Sequence, residues 1–510
     1  GVVDLPFQQR RDPFVIDLSG ASGNVAIVGG PRSGKSTMLR TILAALALRH
    51  TPSEVQFYCL DFSGGALFGL AGLPHVGGVA GRQDGDVARR IVAEIAALVE
   101  NREARFRQLG VDSMAGYRQA RTEGRTDDPF GDVFLLVDGW AVLRQDFEDL
   151  EAELMALTGR ALTYGVHVVL TANRWLDLRL GLRDLVGGKL ELKLGDALDS
   201  EIDRRAQQAV PAGRPGRGVT PLKLQYLTAL PRVDGVQGAD DLAAGVANLV
   251  ESIRDNWSGP AAPPVRLLPV DVALADLPPE LVSGQLVLGM EGVRLQPVVL
   301  DPHQDQGLVV LGDAESGKTS LIRSIARQVT TLWQPTEAKI VLIDYRRSLL
   351  GEFSGEGVLS YAATAQQAVD TVAGLVEGFA KRLPGSDVTP EQLRTRSWWT
   401  GPEIYILVDD YDLLTSGQNP LVPLVEFLPQ ARDIGLQLII ARRAGGASRA
   451  LMDPVVGRLR ELGQPAIVLS APRDEGTLFG VRPTQLPVGR GTLVSRRYGT
   501  VPVQLVHAAR

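Results

Sequence analysis

The sequence predicts an α/β protein of two tandem domains, each with an open, mostly parallel sheet flanked by helices. Three observations carry the prediction. Short β-branched runs alternate with stretches of helical periodicity along the 510 residues. One succession of landmarks occurs twice. Each copy opens with a strand, a glycine-rich loop and a helix in direct succession. A composition of 45% hydrophobic and 22% charged residues is that of a folded globular chain and excludes disorder as the main state.

In the first copy, residues 13–17 (Pro-Phe-Val-Ile-Asp) predict an edge strand beside the core sheet, and residues 24–28 predict the first core strand. Gly29, Gly30, Pro31, Arg32, Ser33, Gly34, Lys35, Ser36 and Thr37 then match G-x-x-x-x-G-K-[ST], and Met38, Leu39, Ile42 and Leu43 follow at helical spacing. A second strand ends on Asp61 and a third on Asp138. A fourth, at 167–173, ends in the polar tip Thr171-Ala-Asn173, and the turn Gly216-Arg217-Gly218 comes late in the copy.

The second copy repeats this order. A lead-in at 296–301 precedes a strand at 307–311 and the loop Gly312, Asp313, Ala314, Glu315, Ser316, Gly317, Lys318, Thr319 and Ser320. Leu321, Ile322 and Ile325 continue at helical spacing. Strands then end on Asp344, on Asp409 and at Arg442, and Gly489-Arg490-Gly491 repeats the late turn. A whole domain is duplicated, not a short solenoid unit. The expected limits are 1–257 for the first domain, 258–285 for a linker and 286–510 for the second domain. The linker is rich in proline, yet Val265, Leu267 and Leu268 suggest that it docks.

The loop is a P-loop, which makes both domains nucleoside-triphosphatase folds with ATP and Mg²⁺ as expected cofactors. Its glycines let backbone N–H groups curl around phosphates at a helix N-terminus. Lys35 and Lys318 would reach the β- and γ-phosphates, while Ser36 and Thr319 would ligate Mg²⁺. Asp138 and Asp409 end apolar strands, as Walker-B metal-binding aspartates do. Many such ATPases place Glu next, to activate water. Here Gly139 and Asp410 follow instead. Loss of a positioned general base costs about 10²–10⁴-fold, so both sites are expected to bind ATP and hydrolyse it slowly. Arg105 and Arg382 are candidate arginine fingers, and Asn173 is a candidate γ-phosphate sensor. Arg442 or Arg443 stands at that place in the second copy. Arg89 and Arg90 read as a helix surface, Cys59, Trp140 and Trp398-Trp399 as packing.

Other features narrow the function. The net charge of −6 argues against a surface built for nucleic acid. A single cysteine excludes a disulfide scaffold, and five scattered histidines argue against a histidine metal site. No 18-residue apolar run appears, so a reducing, cytoplasmic setting is expected.

On these motifs the chain resembles the FtsK/SpoIIIE branch of P-loop ATPases, with RecA-like, FtsK-type domains. Arg105-Phe106 followed by residues 110–117 (Gly-Val-Asp-Ser-Met-Ala-Gly-Tyr) adds to the likeness. With the tandem order and the lead-in at 3–13, it is similar over nearly its whole length to the second and third ATPase domains of the EccC family of type VII secretion systems. The resemblance implies a module of a secretion motor at the cytoplasmic face of a membrane complex. It further implies a membrane-anchored core and a preceding ATPase domain as partners, and a ring oligomer in the full assembly. The chain would then be part of a longer protein or a split subunit. The last domain would recognise C-terminal helical signals of small helical secreted substrates of the Trp-x-Gly class, coupled to oligomerisation. Each linker would tuck into a pocket on the preceding domain. A weak candidate for the peptide groove is the stretch 421–456. Two alternatives remain: an FtsK-like DNA translocase, and a nucleotide-locked structural scaffold.

Overall fold

A computed structural model of the chain describes residues 1–277, 284–415, 417–446 and 452–507. The chain divides into two compact units, Gly1–Leu267 and Leu268–Arg510. That boundary falls inside the expected linker, of which residues 278–283 lie outside the described residues.

In the first unit the strands are β1 (Val2–Leu5), β2 (Arg10–Pro13), β3 (Val25–Val28), β4 (Val55–Asp61), β5 (Val76–Gly81), β6 (Asp132–Asp138), β7 (Val166–Ala172), β8 (Gly188–Leu192), β9 (Arg217–Val219) and β10 (Gln225–Leu227). They form one sheet in the order β2-β1-β10-β9-β8-β3-β7-β6-β4-β5. The block from β8 to β5 is parallel, and β9, β10, β1 and β2 continue it antiparallel. Every residue of β3, β4 and β7 is buried, which is why these strands read as continuous apolar runs rather than alternating ones. Helix Lys35–Ala47 buries Met38, Leu39, Ile42 and Leu43 with the side chains of one sheet face. Helix Gly85–Leu109 buries Ile91, Val92, Ile95 and Val99 with those of the other face.

The second unit has β11 (Leu286–Glu291), β12 (Pro297–Leu300), β13 (Gly307–Gly312), β14 (Ala338–Asp344), β15 (Val358–Ala362), β16 (Glu403–Asp409), β17 (Leu436–Arg443), β18 (Ala466–Leu469), β19 (Arg490–Ser495) and β20 (Gly499–Leu505). Their order, β12-β11-β20-β19-β18-β13-β17-β16-β14-β15, repeats the first sheet strand for strand.

Two expectations need correction. The predicted strand at 13–17 is not one. β2 ends at Pro13, and beyond it Phe14, Ile16 and Leu18 pack on the core, with Phe14 stacked 4.3 Å from Tyr226. The Phe14 N–H still donates to the Gly1 carbonyl at 2.8 Å, and the pairing with the β1 edge goes no further. Arg90 is not on the surface: it is buried while Arg89 is exposed, because it grips the chain segment that leaves the unit. In the stretch 421–456, Leu421, Leu424, Phe427 and Leu428 belong to the core while Val422 and Met452 are exposed; residues 447–451 lie outside the described residues.

Candidate functional site

In both units the glycine-rich loop joins the carboxyl end of a central strand to a helix, β3 to Lys35–Ala47 and β13 to Lys318–Leu332. Backbone N–H groups and the positive end of the helix dipole therefore meet at the carboxyl edge of each sheet. The curl requires left-handed backbone, with φ of 103° at Gly34 and 106° at Gly317. A Cβ at Gly34 would lie 2.8 Å from the Gly216 nitrogen, and one at Gly317 would lie 3.1 Å from that of Gly489. The late Gly-Arg-Gly turns are thus braces. The Gly216 N–H donates to the Ser33 carbonyl at 2.7 Å, and the Gly489 N–H donates to Ser316 at 2.9 Å.

The lysines lie over their loops. Lys35 Nζ donates to the carbonyls of Gly29 and Gly30 at 2.7 and 3.0 Å, and Lys318 Nζ donates to those of Gly312, at 2.9 Å, and Asp313. Burial lowers the pKa of both, and nearby carboxylates oppose it: Asp138 beside Lys35, Asp410 and Asp409 beside Lys318.

Two acids end adjacent strands in register in each unit, Asp61 beside Asp138 and Asp344 beside Asp409. They do different work. Asp61 accepts from the N–H groups of Gly64, Gly65 and Leu67, and Asp344 accepts from the Leu349 N–H and the Tyr361 hydroxyl. Both shape the loop that follows. Asp138 and Asp409 face the P-loop. Thr319 Oγ1 donates to Asp409 Oδ2 at 2.7 Å, and in the first unit Asp138 Oδ2 is buried without a hydrogen-bond partner. Hydroxyl and carboxylate oxygens brought together in this way suit a hard cation such as Mg²⁺. When bound, that ion would neutralise phosphate charge, with Ser36 and Asp138, or Thr319 and Asp409, as its protein side. Burial pushes Asp138 above the usual carboxylate range, against the neighbouring hydroxyls of Thr171 and Ser36. It pushes Asp409 up to about 6, against the Thr319 hydroxyl.

Thr171 carries a role the sequence did not assign. Its hydroxyl donates to Asp138 Oδ1 at 2.6 Å and accepts from the Gly139 N–H at 2.9 Å. Strand register puts Ala441 at that place in the second unit, where Asp409 Oδ1 takes the Asp410 N–H instead, at 3.1 Å. The available signal was a lone hydroxyl in an otherwise apolar strand.

The same register matches Asn173 with Arg443, and Ala172 with Arg442. Asn173 is exposed; Arg442 is buried, and its Nε donates to the Arg443 carbonyl. The sensor position of the second unit is therefore Arg443. The finger candidates lie elsewhere. Arg382 donates to the carbonyls of Ile434 and Pro402, both at 3.0 Å, and stacks 4.2 Å over Trp399. Those carbonyls precede β17 and β16, at the strand ends far from the P-loop. Its counterpart is the fully buried Arg102, which grips the carbonyls of Tyr164, Phe130 and Gly131, and these two arginines tie the base of each sheet. Arg105, three residues on, pairs with Asp127 at 3.2 Å and bonds Thr126.

A second feature lies on the edge of the first sheet. Residues 262–266 run beside β5: the Ala262 N–H donates to Pro74, and the Val265 N–H donates to the Gly77 carbonyl at 3.0 Å. Tyr58 Oη donates to the Pro263 carbonyl, and Arg90 Nε donates to that of Arg266, both at 2.7 Å. The Val265 side chain joins the core below. Leu267 is half exposed, and Leu268 packs beside Gly292 in the second unit. In the second unit β15 is the sheet edge among the described residues. Leu359, the register match of Gly77, and Val369 on the adjoining helix Ala365–Ala380 are 48% and 46% exposed.

Comparisons with known proteins agree with this architecture. The FtsK/SpoIIIE family model matches residues 1–233. The ESX secretion system protein EccC of Thermomonospora curvata is 51% identical over 510 residues, 99% of this chain and 39% of that protein. The ESX-1 secretion system protein EccCb1 of Mycolicibacterium smegmatis is 37% identical over 511 residues, 97% of this chain and 86% of that protein. A solved structure of T. curvata EccC, ATPases 2 and 3 in complex with a signal sequence peptide, matches all of this chain and 92% of that one, with a TM-score of 0.93 and 51% identity. The chain spans about two fifths of the full T. curvata relative. With two P-loop units in the same order and a relative matched over most of both lengths, the chain belongs to the EccC family of type VII secretion ATPases.

Proposed function

We propose that this chain is the ATP- and Mg²⁺-binding tandem module of a type VII secretion motor, working at the cytoplasmic face of a membrane complex. In this reading each unit holds ATP firmly and turns it over slowly, and the second unit takes a helical C-terminal signal from a small secreted protein. Signal binding then favours ring assembly with further copies and with the preceding ATPase domain.

The observation that carries the reading is the docked linker. Residues 262–266 occupy the edge of the first sheet, and the matching edge of the second unit presents Leu359 and Val369 to solvent. A peptide with apolar anchors at helical spacing fits such a surface. The solved T. curvata relative is in complex with a signal sequence peptide, which supports a peptide site on this architecture.

The test is fluorescence anisotropy with a labelled C-terminal peptide from a secreted substrate of the same system. Leu359→Asp and Val369→Asp are expected to weaken binding about tenfold or more, because each sets a charge in an apolar contact. Unchanged affinity in both would remove the site. ATP turnover raised by duplex DNA would favour the translocase instead.

A further inference from the structure

We propose that Arg346 silences the second nucleotide site by holding the Asp410 carboxylate away from the attacking water. The proposal rests on the reading of that unit as an ATP site.

Asp344 and Asp409 end neighbouring strands in register, so the chain segments beyond them leave the sheet side by side. Arg346 lies two residues past Asp344, and Asp410 directly follows Asp409. Their side chains meet, Nε to Oδ2 at 2.6 Å. The Asp410 side chain is 13% exposed and that of Arg346 46%. On its other side Asp410 is the leading carboxylate beside Lys318, with Asp412 and Arg443 also near it. It therefore adjoins the lysine expected to reach the β- and γ-phosphates, one methylene short of the glutamate that would serve as general base.

Two features keep it from that work. The guanidinium pairs with Oδ2 at 2.6 Å and competes with a water for that oxygen. The backbone at Asp410 is left-handed, φ 49° and ψ 49°, a conformation that costs about 1–2 kcal/mol for an L-residue and marks a position held by its surroundings. The first unit has neither base nor clasp. Its matching residues are Ser63 and Gly139, and a Cβ on Gly139 would lie 2.5 Å from Ser63 Oγ.

Freed from Arg346, Asp410 would accept a proton from water as the water oxygen bonds to the γ-phosphorus. The bond from that phosphorus to the bridging oxygen would break, and its electron pair would leave on ADP. Arg346 is thus a positioning residue that acts through Asp410.

The test uses the full chain in a Lys35→Ala background, so that the second unit alone reports. Fluorescent-ATP affinity and single-turnover hydrolysis are measured together. Arg346→Ala is expected to leave affinity within about threefold and to raise the hydrolysis step about tenfold or more. Arg346→Lys restores the slow rate, and adding Asp410→Asn to Arg346→Ala abolishes the gain. An unchanged or slower step at retained affinity would overturn the proposal, as would a gain that survives Asp410→Asn. Absence of fluorescent-ATP binding in the Lys35→Ala parent would instead overturn the nucleotide reading of the second unit, and the proposal with it.

Discussion

The first unit turns after Asp138 on Gly139, under Ser63; the second turns after Asp409 on Asp410, clasped by Arg346. Strand order and loop geometry are the same on both sides of this difference. Both copies thus lack a free carboxylate where water would be activated, and they lack it for different reasons. One has no side chain and no room for one. The other has a carboxylate already engaged. On the proposed reading, one site would lose turnover by deletion and the other by sequestration, while both phosphate loops stay intact.

Four changes would break or sharpen the comparison, in descending order of effect. Lys35→Ala and Lys318→Ala should each weaken ATP binding at one site about 100-fold or more, because each removes a charge aimed at the phosphates. Isothermal titration should then count one nucleotide where the parent chain takes two. A single site in the parent would end the symmetry of the loops.

The next concerns charge in nucleotide- and Mg²⁺-free protein. Burial raises the Asp409 carboxyl to about 6 in the folded state. The folded form then holds the proton more tightly than the unfolded chain. The stabilisation is fully present below about pH 4 and lost as pH rises through about 6, a swing of about 3 kcal/mol. With chelator present, the second unit should gain stability on acidification from pH 7 to 5 relative to Asp409→Asn. Parallel urea midpoints across that range would contradict the assignment.

Val265→Asp places a charge where a partly buried side chain packs on the core of the first unit, and should cost about 1–2 kcal/mol and expose residues 258–267 to protease. Leu359→Asp, at an uncovered edge, should leave stability within about 0.5 kcal/mol. Equal costs would mean that the two sheet edges are alike. Smallest is Thr171→Ala, which removes the 2.6 Å bond to Asp138 and should cost about 1 kcal/mol, read as a lower melting temperature for the first unit. Ala441→Thr tests whether the second unit tolerates the same hydroxyl.

Much of the fold was legible because its signals are local. β4 ends on Asp61 and β16 on Asp409 as expected, since a parallel strand buried on both faces is a continuous apolar run with a sharp polar end. The P-loops were legible because the phosphate cradle needs fixed residue types at fixed spacing. What was hidden depends on contacts across the chain. Arg90 reads as a helix surface until residue 266 arrives, 176 positions later. Arg382 reads as a free cation until the carbonyls of Pro402 and Ile434 close on it. Asp410 reads as a short substitute base, and only the partner from the adjacent loop changes that. The edge strand expected at 13–17 lies at residues 10–13 instead, and past Phe14 the apolar side chains turn onto the core without further pairing.

The most direct test of the account is single-turnover hydrolysis of Mg²⁺-ATP by the purified chain, with and without duplex DNA. The account predicts firm binding and a step at least two orders of magnitude below the roughly 10 s⁻¹ of a median enzyme, unchanged by DNA. Turnover at the ordinary enzymatic rate, or a step accelerated by DNA, would contradict it.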